Sequence, residues 1–370
     1  LIQPKNAQFM RIYILVLVGL VGSFGAKAQK YSNEFLSIGV GARAQALGTA
    51  VVAGVDDVMA GVWNPAGLAA APHLDGMQIA AMHSEWFGGV GRFDYLAATL
   101  PMSNENRRLA ISAIRFGIDK IPNTLSLYGA DGTVNFDNLK EFSAADYAFI
   151  LSYAQRGSAT KPSNFTYGGN IKVIYRRIGS FANSWGFGID GGVQYRKGNL
   201  RLGLMAKDIT TSFNAWSFNF TEADKATLQL TNNSVPINSI EITKPQLILG
   251  IGYRFQYRKI GFSPEINFIA TTDGKRNTLV SSAPFSLDPA AGLEMDYNRV
   301  LFFRLGVNQF QRETNFGGQN VLSPRPSLGI GFKISALQID YAFTDLASDN
   351  SAYSHIISLQ LNLKKKKTGL

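Results

Sequence analysis

The feature that most constrains this chain is a two-residue period running from about residue 76 to residue 363. Ile357, Leu359, Leu361 and Leu363 alternate with Ser358, Gln360 and Asn362, and Leu337, Ile339, Tyr341 and Phe343 alternate with Gln338 and Asp340. Leu301, Phe303, Leu305 and Val307 stand against Arg304 and Asn308, and Leu293, Met295 and Tyr297 against Glu294 and Asp296. A period of two belongs to a strand whose two faces meet different surroundings. Similar segments begin near Met77, Phe93, Leu109, Tyr147, Gly169, Gly186, Leu200, Leu247, Ile260 and Leu328, which predicts about 14 strands. Past residue 29 no apolar run approaches the roughly 20 residues of a membrane-crossing helix.

Alternation alone fits a soluble sandwich as well as a membrane barrel. The connections separate the two. Tight turns near Asn104, Gly198, Arg258, Asn298 and Ala336 alternate with long connections around 119–144, 212–243, 273–286, 310–325 and 345–353. That is the layout of an outer-membrane barrel, short inside and long outside. Phe87 to Gly91 and Arg156 to Phe165 are the exceptions. Composition agrees: 37 glycines, 12% aromatic residues and only 17% charged residues suit many pleated strands with aromatic anchors. Mean hydropathy is near zero, as expected when every second side chain faces water or a polar lumen. The fold class expected is an all-β membrane protein, a 14-stranded antiparallel transmembrane β-barrel.

Four regions follow. Residues 1–28 read as an upstream extension plus a secretory signal: Arg11, an apolar run from Ile12 to Val21, then Ala26-Lys27-Ala28 as the cleavage site. Residues 29–75 form a separate N-terminal segment, 76–363 are expected to form the barrel, and 364–370 a solvated tail with four lysines. The formal charge is +10, but Lys5, Arg11 and Lys27 fall in the segment expected to be removed, and no nucleic-acid partner is expected. The chain has no cysteine, which removes disulfides, thiolate nucleophiles and zinc-thiolate sites together.

Residues 29–75 break the strand pattern. Gly39, Gly41, Ala42, Arg43, Ala44, Ala46 and Gly48 form a small-residue stretch, Asp56-Asp57 can open a helix, and Trp63-Asn64-Pro65-Ala66-Gly67-Leu68 can turn the chain toward the first strand. With these motifs the sequence resembles the PorV/PorQ family of type IX secretion, relatives of the FadL fatty-acid channel. The resemblance implies a 14-stranded barrel with an N-terminal lumen plug, residues 29–75, containing a short helix. Arg43 can pair with a lumen acid among Asp190, Glu265, Glu294, Asp296 and Asp340.

No catalytic constellation emerges. Gly39, Gly41 and Ala44 match a loose dinucleotide pattern without the βαβ units that would give it meaning. His73, His83 and His355 lack metal-ligand spacing, and no nucleophile elbow is present. Glu294 and Asp296 share a strand face and are read as lumen electrostatics balancing Arg201, Arg254 and Arg304. No enzyme activity, cofactor or metal is expected. The resemblance points to an outer-membrane component of type IX secretion, receiving secreted cargo beside translocon or attachment subunits, with outer-membrane lipid around it. Leu125, Leu127 and Tyr128 in one outer connection, and Phe213, Trp216, Phe218 and Phe220 in another, are the candidate contacts. The rivals are a FadL-like channel for hydrophobic small molecules such as fatty acids, and a structural scaffold. A parity slip near Arg115 and the break at Pro264 mark places where the wall could open.

Overall fold

The computed structural model describes residues 32–70, 76–86, 88–127, 133–157, 163–282, 285–314, 318–345 and 353–363. The signal segment, His73, Tyr128 and the lysine tail lie outside the described residues. From Met77 onward the chain forms one closed antiparallel sheet. Its first six staves are β1 (Met77–Trp86), β2 (Gly91–Pro101), β3 (Arg107–Asn123), β4 (Lys140–Arg156), β5 (Phe165–Ile178) and β6 (Ala182–Lys197). The seventh is built from two pieces, β7 (Leu200–Lys207) and β8 (Ser212–Phe218), and the eighth from three, β9 (Ser239–Thr243), β10 (Gln246–Tyr253) and β11 (Phe255–Tyr257). Then follow β12 (Ile260–Thr271), a two-residue spur β13 (Val280–Ser281), β14 (Ser286–Tyr297), β15 (Leu301–Thr314), β16 (Asn320–Ile334), β17 (Leu337–Asp345) and β18 (Tyr353–Leu363). Counted around the wall, these make fourteen staves, closed where β1 pairs with β18 from Met77↔Leu363 to Ser84↔Ile356. Closure leaves no edge strand to satisfy in lipid.

The period of two places opposite chemistries on the two surfaces. Ile171, Phe187, Leu249, Ile330 and Leu359 all point outward and are 45–58% exposed, whereas Asn170, Gln194, Asp190, Glu294 and Asp340 face the lumen and are buried. In water such an exterior would be unfavourable; in hydrocarbon it is the required one. Outward aromatics at the short-turn end, Phe165, Tyr167, Tyr253, Phe255, Tyr257 and Tyr297, form one girdle. At the other end Tyr147, Tyr175 and Trp185 form part of a second, with Tyr175 and Trp185 ring centroids 4.7 Å apart. The apolar band is uneven. On β1 only Met77, Ile79 and Ala81 precede outward His83, which pairs with Asp94 at 2.7 Å. Across the barrel it climbs through Leu249, Leu247, Ile242 and Ile240.

The connection expected over 212–243 is wall at both ends, where β8 and β9 pair with each other from Ser212↔Thr243 to Trp216↔Ser239, and a long connection over 219–238 with a helix at Glu222–Leu230 lies between them. The true interruption is at Asp208–Thr211. Gly191 pairs with Ala206 below it and Phe187 with Phe213 above it, so three residues of β6 oppose six of the seventh stave. Asp208 and Thr211 take left-handed φ values of 54° and 62°, a conformation that costs a β-branched residue roughly 1–2 kcal/mol. On the far side Lys244-Pro245 has no ladder to this stretch, and Pro245 has no N–H to give. The sequence-based breaks do not hold. β3 stays in register with β4 through Arg115 and shifts only between Ile118 and Ile121, where Lys120 adopts φ 57°. Arg115 faces outward and holds Asp94 at 3.2 Å, so its charge is satisfied without a kink. Pro264 sits in an unbroken ladder with β14, because its missing donor falls opposite the break between β10 and β11.

Residues 32–70 fill the lumen. Short helices at Ala42–Ala46 and Ala60–Trp63 and a 3₁₀ turn at Pro65–Ala69 are linked by tight turns. Gly39 and Gly41 sit at φ 80° and 87°, angles that only glycine takes without strain. The wall meets this segment with glycines of its own. A Cβ on Gly292 would lie 2.5 Å from the Leu47 carbonyl oxygen, on Gly203 2.5 Å from that of Val52, and on Gly168 2.6 Å from the Pro65 carbonyl carbon. Gly306 backs against Gly48 in the same way. Wall side chains then tie the plug backbone: Glu265 accepts from Ala53 N at 2.7 Å, Ser358 accepts from Ala42 N at 3.1 Å, and Gln194 donates to Val52 O and Val55 O. Gly306→Val should let the barrel assemble yet displace the plug. In limited proteolysis of the detergent-solubilised protein, cleavage should appear between residues 40 and 70; a plug as resistant as wild type would contradict the close approach.

Candidate functional site

The plug divides the lumen into two unlike halves. On its outer side the first turn, Phe35 to Val40, packs against the inward residues of β1–β3. Leu36, Ile38, Trp86 and Phe116 are half-buried there over a core containing Phe93, Tyr95, Met82 and Trp63. Trp86 meets Phe116 edge-on with centroids 6.3 Å apart. Higher on the lumen side, Trp216, Phe218, Phe220, Phe181 and Phe142 form a second chain of ring contacts 5.3–6.2 Å apart. Arg176 lies 5.1 Å from the Trp216 ring and holds Asp146 at 2.8 Å. Asn214 donates to Ser32 and Asn33, fixing the start of the described plug to β8.

Below the plug the lining is charged. Arg43 reaches Glu294 with Nε at 2.8 Å and Nη2 at 3.1 Å, a two-pronged contact that a guanidinium makes readily. Arg304, fully buried, shares Glu294 at 2.7 Å and holds Asp340 at 2.7 Å. Glu294 is thus the partner of Arg43 among the five acids open to it from sequence. Glu294 and Asp296 are tied up as ion partners, the latter with Arg254 at 2.8 Å. Asp56 pairs with Arg196 at 3.0 Å. Burial opposes its charge, but Arg196, Arg201 and Arg43 together hold its carboxyl below the ordinary value. For Asp57 burial prevails: with Asp56 and Asp340 nearby, it outweighs Arg43 and the backbone hydrogen bond from Met59, and the pKa is pushed up to about 6. Asp57 Oδ1 accepts from Met59 N at 2.9 Å, closing the turn before the Ala60–Trp63 helix.

The remaining motif residues are structural. Trp63 Nε1 donates to Val40 O at 2.8 Å. Asn64 caps the Pro65–Ala69 turn by accepting from Ala66 N, and its amide reaches Val52 O at 3.0 Å. Gly67 packs on Val55, where no Cβ fits.

The wall interruption abuts the plug, and sequence reasoning missed it. Lys172 bridges Asp190 at 2.7 Å and Asp208 at 2.6 Å, all three buried in the wall. Ser212 also donates to Asp208. Asn170 donates to both Asp190 and the plug carbonyl of Gly61, and Lys207 lies 5.6 Å from the Trp63 ring. A signal was present: Asp208 and the two threonines follow a regular strand, and Ser212, Asn214 and Trp216 then alternate again, in the opposite parity to inward Gly203 and Met205.

The candidate contact residues are not gathered on one surface. Phe213 faces outward and touches Phe187, Trp216 is 8% exposed under Arg176, and Phe218 and Phe220 follow Trp216 inward. Leu125 and Leu127 lie in a separate connection, half-exposed. His83 and His355 are held by Asp94 and Tyr341 on the outside of the barrel, and no metal-binding group occurs among the described residues.

No known family model matches the sequence, and no curated protein matches it. Solved structures do match. The toluene transporter TodX of Pseudomonas putida superposes with a TM-score of 0.54 at 13% identity, covering 91% of this chain and 100% of that one. A FadL homologue of Pseudomonas aeruginosa gives 0.52 at 11% identity, covering 87% and 98%. The fold is that of the FadL-like barrels. The toluene transporter TbuX of Ralstonia pickettii gives 0.50 at 13%, covering 88% and 98%. With a closed wall, an apolar exterior and this fold, the protein is a bacterial outer-membrane β-barrel.

Two outcomes check the plug contacts. Arg43→Ala leaves a buried carboxylate with one cation fewer and should destabilise the docked plug by about 3 kcal/mol, read as faster hydrogen exchange over residues 42–55. Asp57 gains its proton as pH falls through about 6, and a carboxyl whose folded pKa is raised favours the docked state below that pH and weakens it above. Plug protection in wild type should therefore be greater at pH 5 than at pH 7, and Asp57→Asn should shrink that difference.

Proposed function

We propose that this protein is a channel admitting hydrophobic small molecules through the outer membrane. The observation that carries the reading is the lumen's outer half: an aromatic and aliphatic surface that ends on the plug, beside the interruption in the wall. A solute leaving water for Phe218, Phe220, Trp86 and Phe116 gains roughly 25 cal/mol per Å² of apolar surface buried. The plug blocks its direct descent, and the Asp208–Thr211 break against Lys244-Pro245 supplies a weakened seam at the same level. The solved barrels with this fold include ones described as transporters of toluene, which supports the same reading. The secretion alternative rests on the N-terminal motif and would need a protein-sized contact surface. Phe213, Trp216 and Leu127 point in different directions, so that surface is the weaker account.

Uptake by proteoliposomes tests the proposal. Wild-type protein should speed entry of labelled toluene or a long-chain fatty acid over empty vesicles, and Phe116→Asp with Phe218→Asp should reduce the rate at least about tenfold, the effect of placing charges where apolar contact is needed. If assembled wild type matches empty vesicles for both solutes, while secreted proteins copurify with it from outer membranes, secretion becomes the better account.

A further inference from the structure

At the short-turn end, the periplasmic side in outer-membrane barrels, the lumen opens into a cavity of about 900 Å³ whose lining includes six arginines and Lys333. Only Asp56, Asp57 and Glu294 among the lining residues are acidic. Glu294 is shared by Arg43 and Arg304, Asp56 is taken by Arg196, and Arg254 is matched by Asp296 from beneath. Arg201, Arg299 and Lys333 have no carboxylate within 4.0 Å among the described residues. The polar contact of the Arg201 guanidinium is the Gly54 carbonyl, at 3.5 Å. Arg201 also stands directly across from Arg196 in the β6–β7 ladder, both facing the lumen. Like charges placed opposite each other cost stability unless something of opposite sign joins them. Finally, Arg304 has a side chain 0% exposed whose Nη2 has no partner, an expensive omission for a buried donor.

We propose that this vestibule is a binding site for a small soluble oxyanion, a carboxylate or a phosphate group, with Arg201 as its principal contact. Guanidinium forks match the paired oxygens of both groups. The volume lies in the range of small-molecule sites, and a recess lined by one sign of charge concentrates counter-ions. The site is at the opposite end of the lumen from the aromatic surface and stands whether or not hydrophobic solutes pass through the barrel.

Isothermal titration of the full chain in a neutral detergent at low ionic strength, with inorganic phosphate and separately with citrate, tests it. At least one anion should bind saturably; phosphate alone assigns a phosphoryl group, citrate alone a carboxylate. Arg201→Gln should weaken that binding about tenfold, the loss of one charge-assisted contact, while Arg276→Gln at the opposite rim leaves it unchanged. Assembly of each variant is read from heat-modifiable gel mobility. Should Arg201→Gln not assemble, the double variant Arg299→Gln, Lys333→Gln carries the same expectation. No saturable binding of either anion, or equal binding by wild type and the assembled variant, overturns the proposal.

Discussion

The architecture depends on the close approach of two backbones, the plug's and the wall's. A β-barrel of fourteen staves is too wide for its own side chains to fill and would otherwise hold water. Here the inward positions of several staves carry glycine, and residues 42–67 lie directly on them. The contact is dense, and the plug's polar backbone groups are answered by Ser358, Ser327, Glu265, Gln194 and Asn267. Expelling the segment would strand those groups together, and each buried orphan costs about 1–3 kcal/mol. A plug held this way is a partition of the lumen, and any route past it has to go around it or through the wall.

Much of this was legible in the sequence because lipid and lumen impose opposite chemistry on alternate residues. In the last strand parity assigns the two faces, Ile357, Leu359 and Leu361 against Ser358 and Gln360, and the alternation of short and long connections says that the apolar one meets lipid. The plug announced itself by losing that parity and by its run of small residues, of which Ala46 and Gly48 lie against Gly329 and Gly306 of the wall. The partner of Arg43 was not legible, since five lumen acids were equivalent until the register set Glu294 beneath it. The seventh and eighth staves were obscured for another reason. Asp208–Thr211 resembles a turn, so the regular alternation of Ser212–Phe218 beyond it was absorbed into a long connection. Trp216 then looked like an exposed anchor, when parity carried on from Ser212 would have turned it inward.

The two lumen halves answer different physical demands. Outside the plug, aromatic rings stack and tilt against one another with Arg176 as their polar boundary. Inside it, arginines outnumber the carboxylates that line the same space. Between them, Lys172 with Asp190 and Asp208 forms a charged knot in the wall itself. Burying those charges is costly unless each is paired, and the knot is satisfied only while Asp208 stays in its left-handed turn. Asp190 accepts from both Asp208 N and the Asn170 amide, and that amide also holds Gly61, so the position of the plug and the shape of the wall are coupled through Asp190 and Asn170.

The uneven apolar band has its own consequence for the surroundings. Three greasy side chains on β1 beneath His83, against a much taller column on β9 and β10, cannot both match a bilayer of constant thickness. Acyl chains beside the closing seam must shorten or splay while those opposite stretch, so the barrel carries a dimple in its lipid annulus wherever it sits. Such a depression costs elastic energy and is relieved when two of them merge, which gives neighbouring barrels a reason to gather along that side without any direct contact between their proteins.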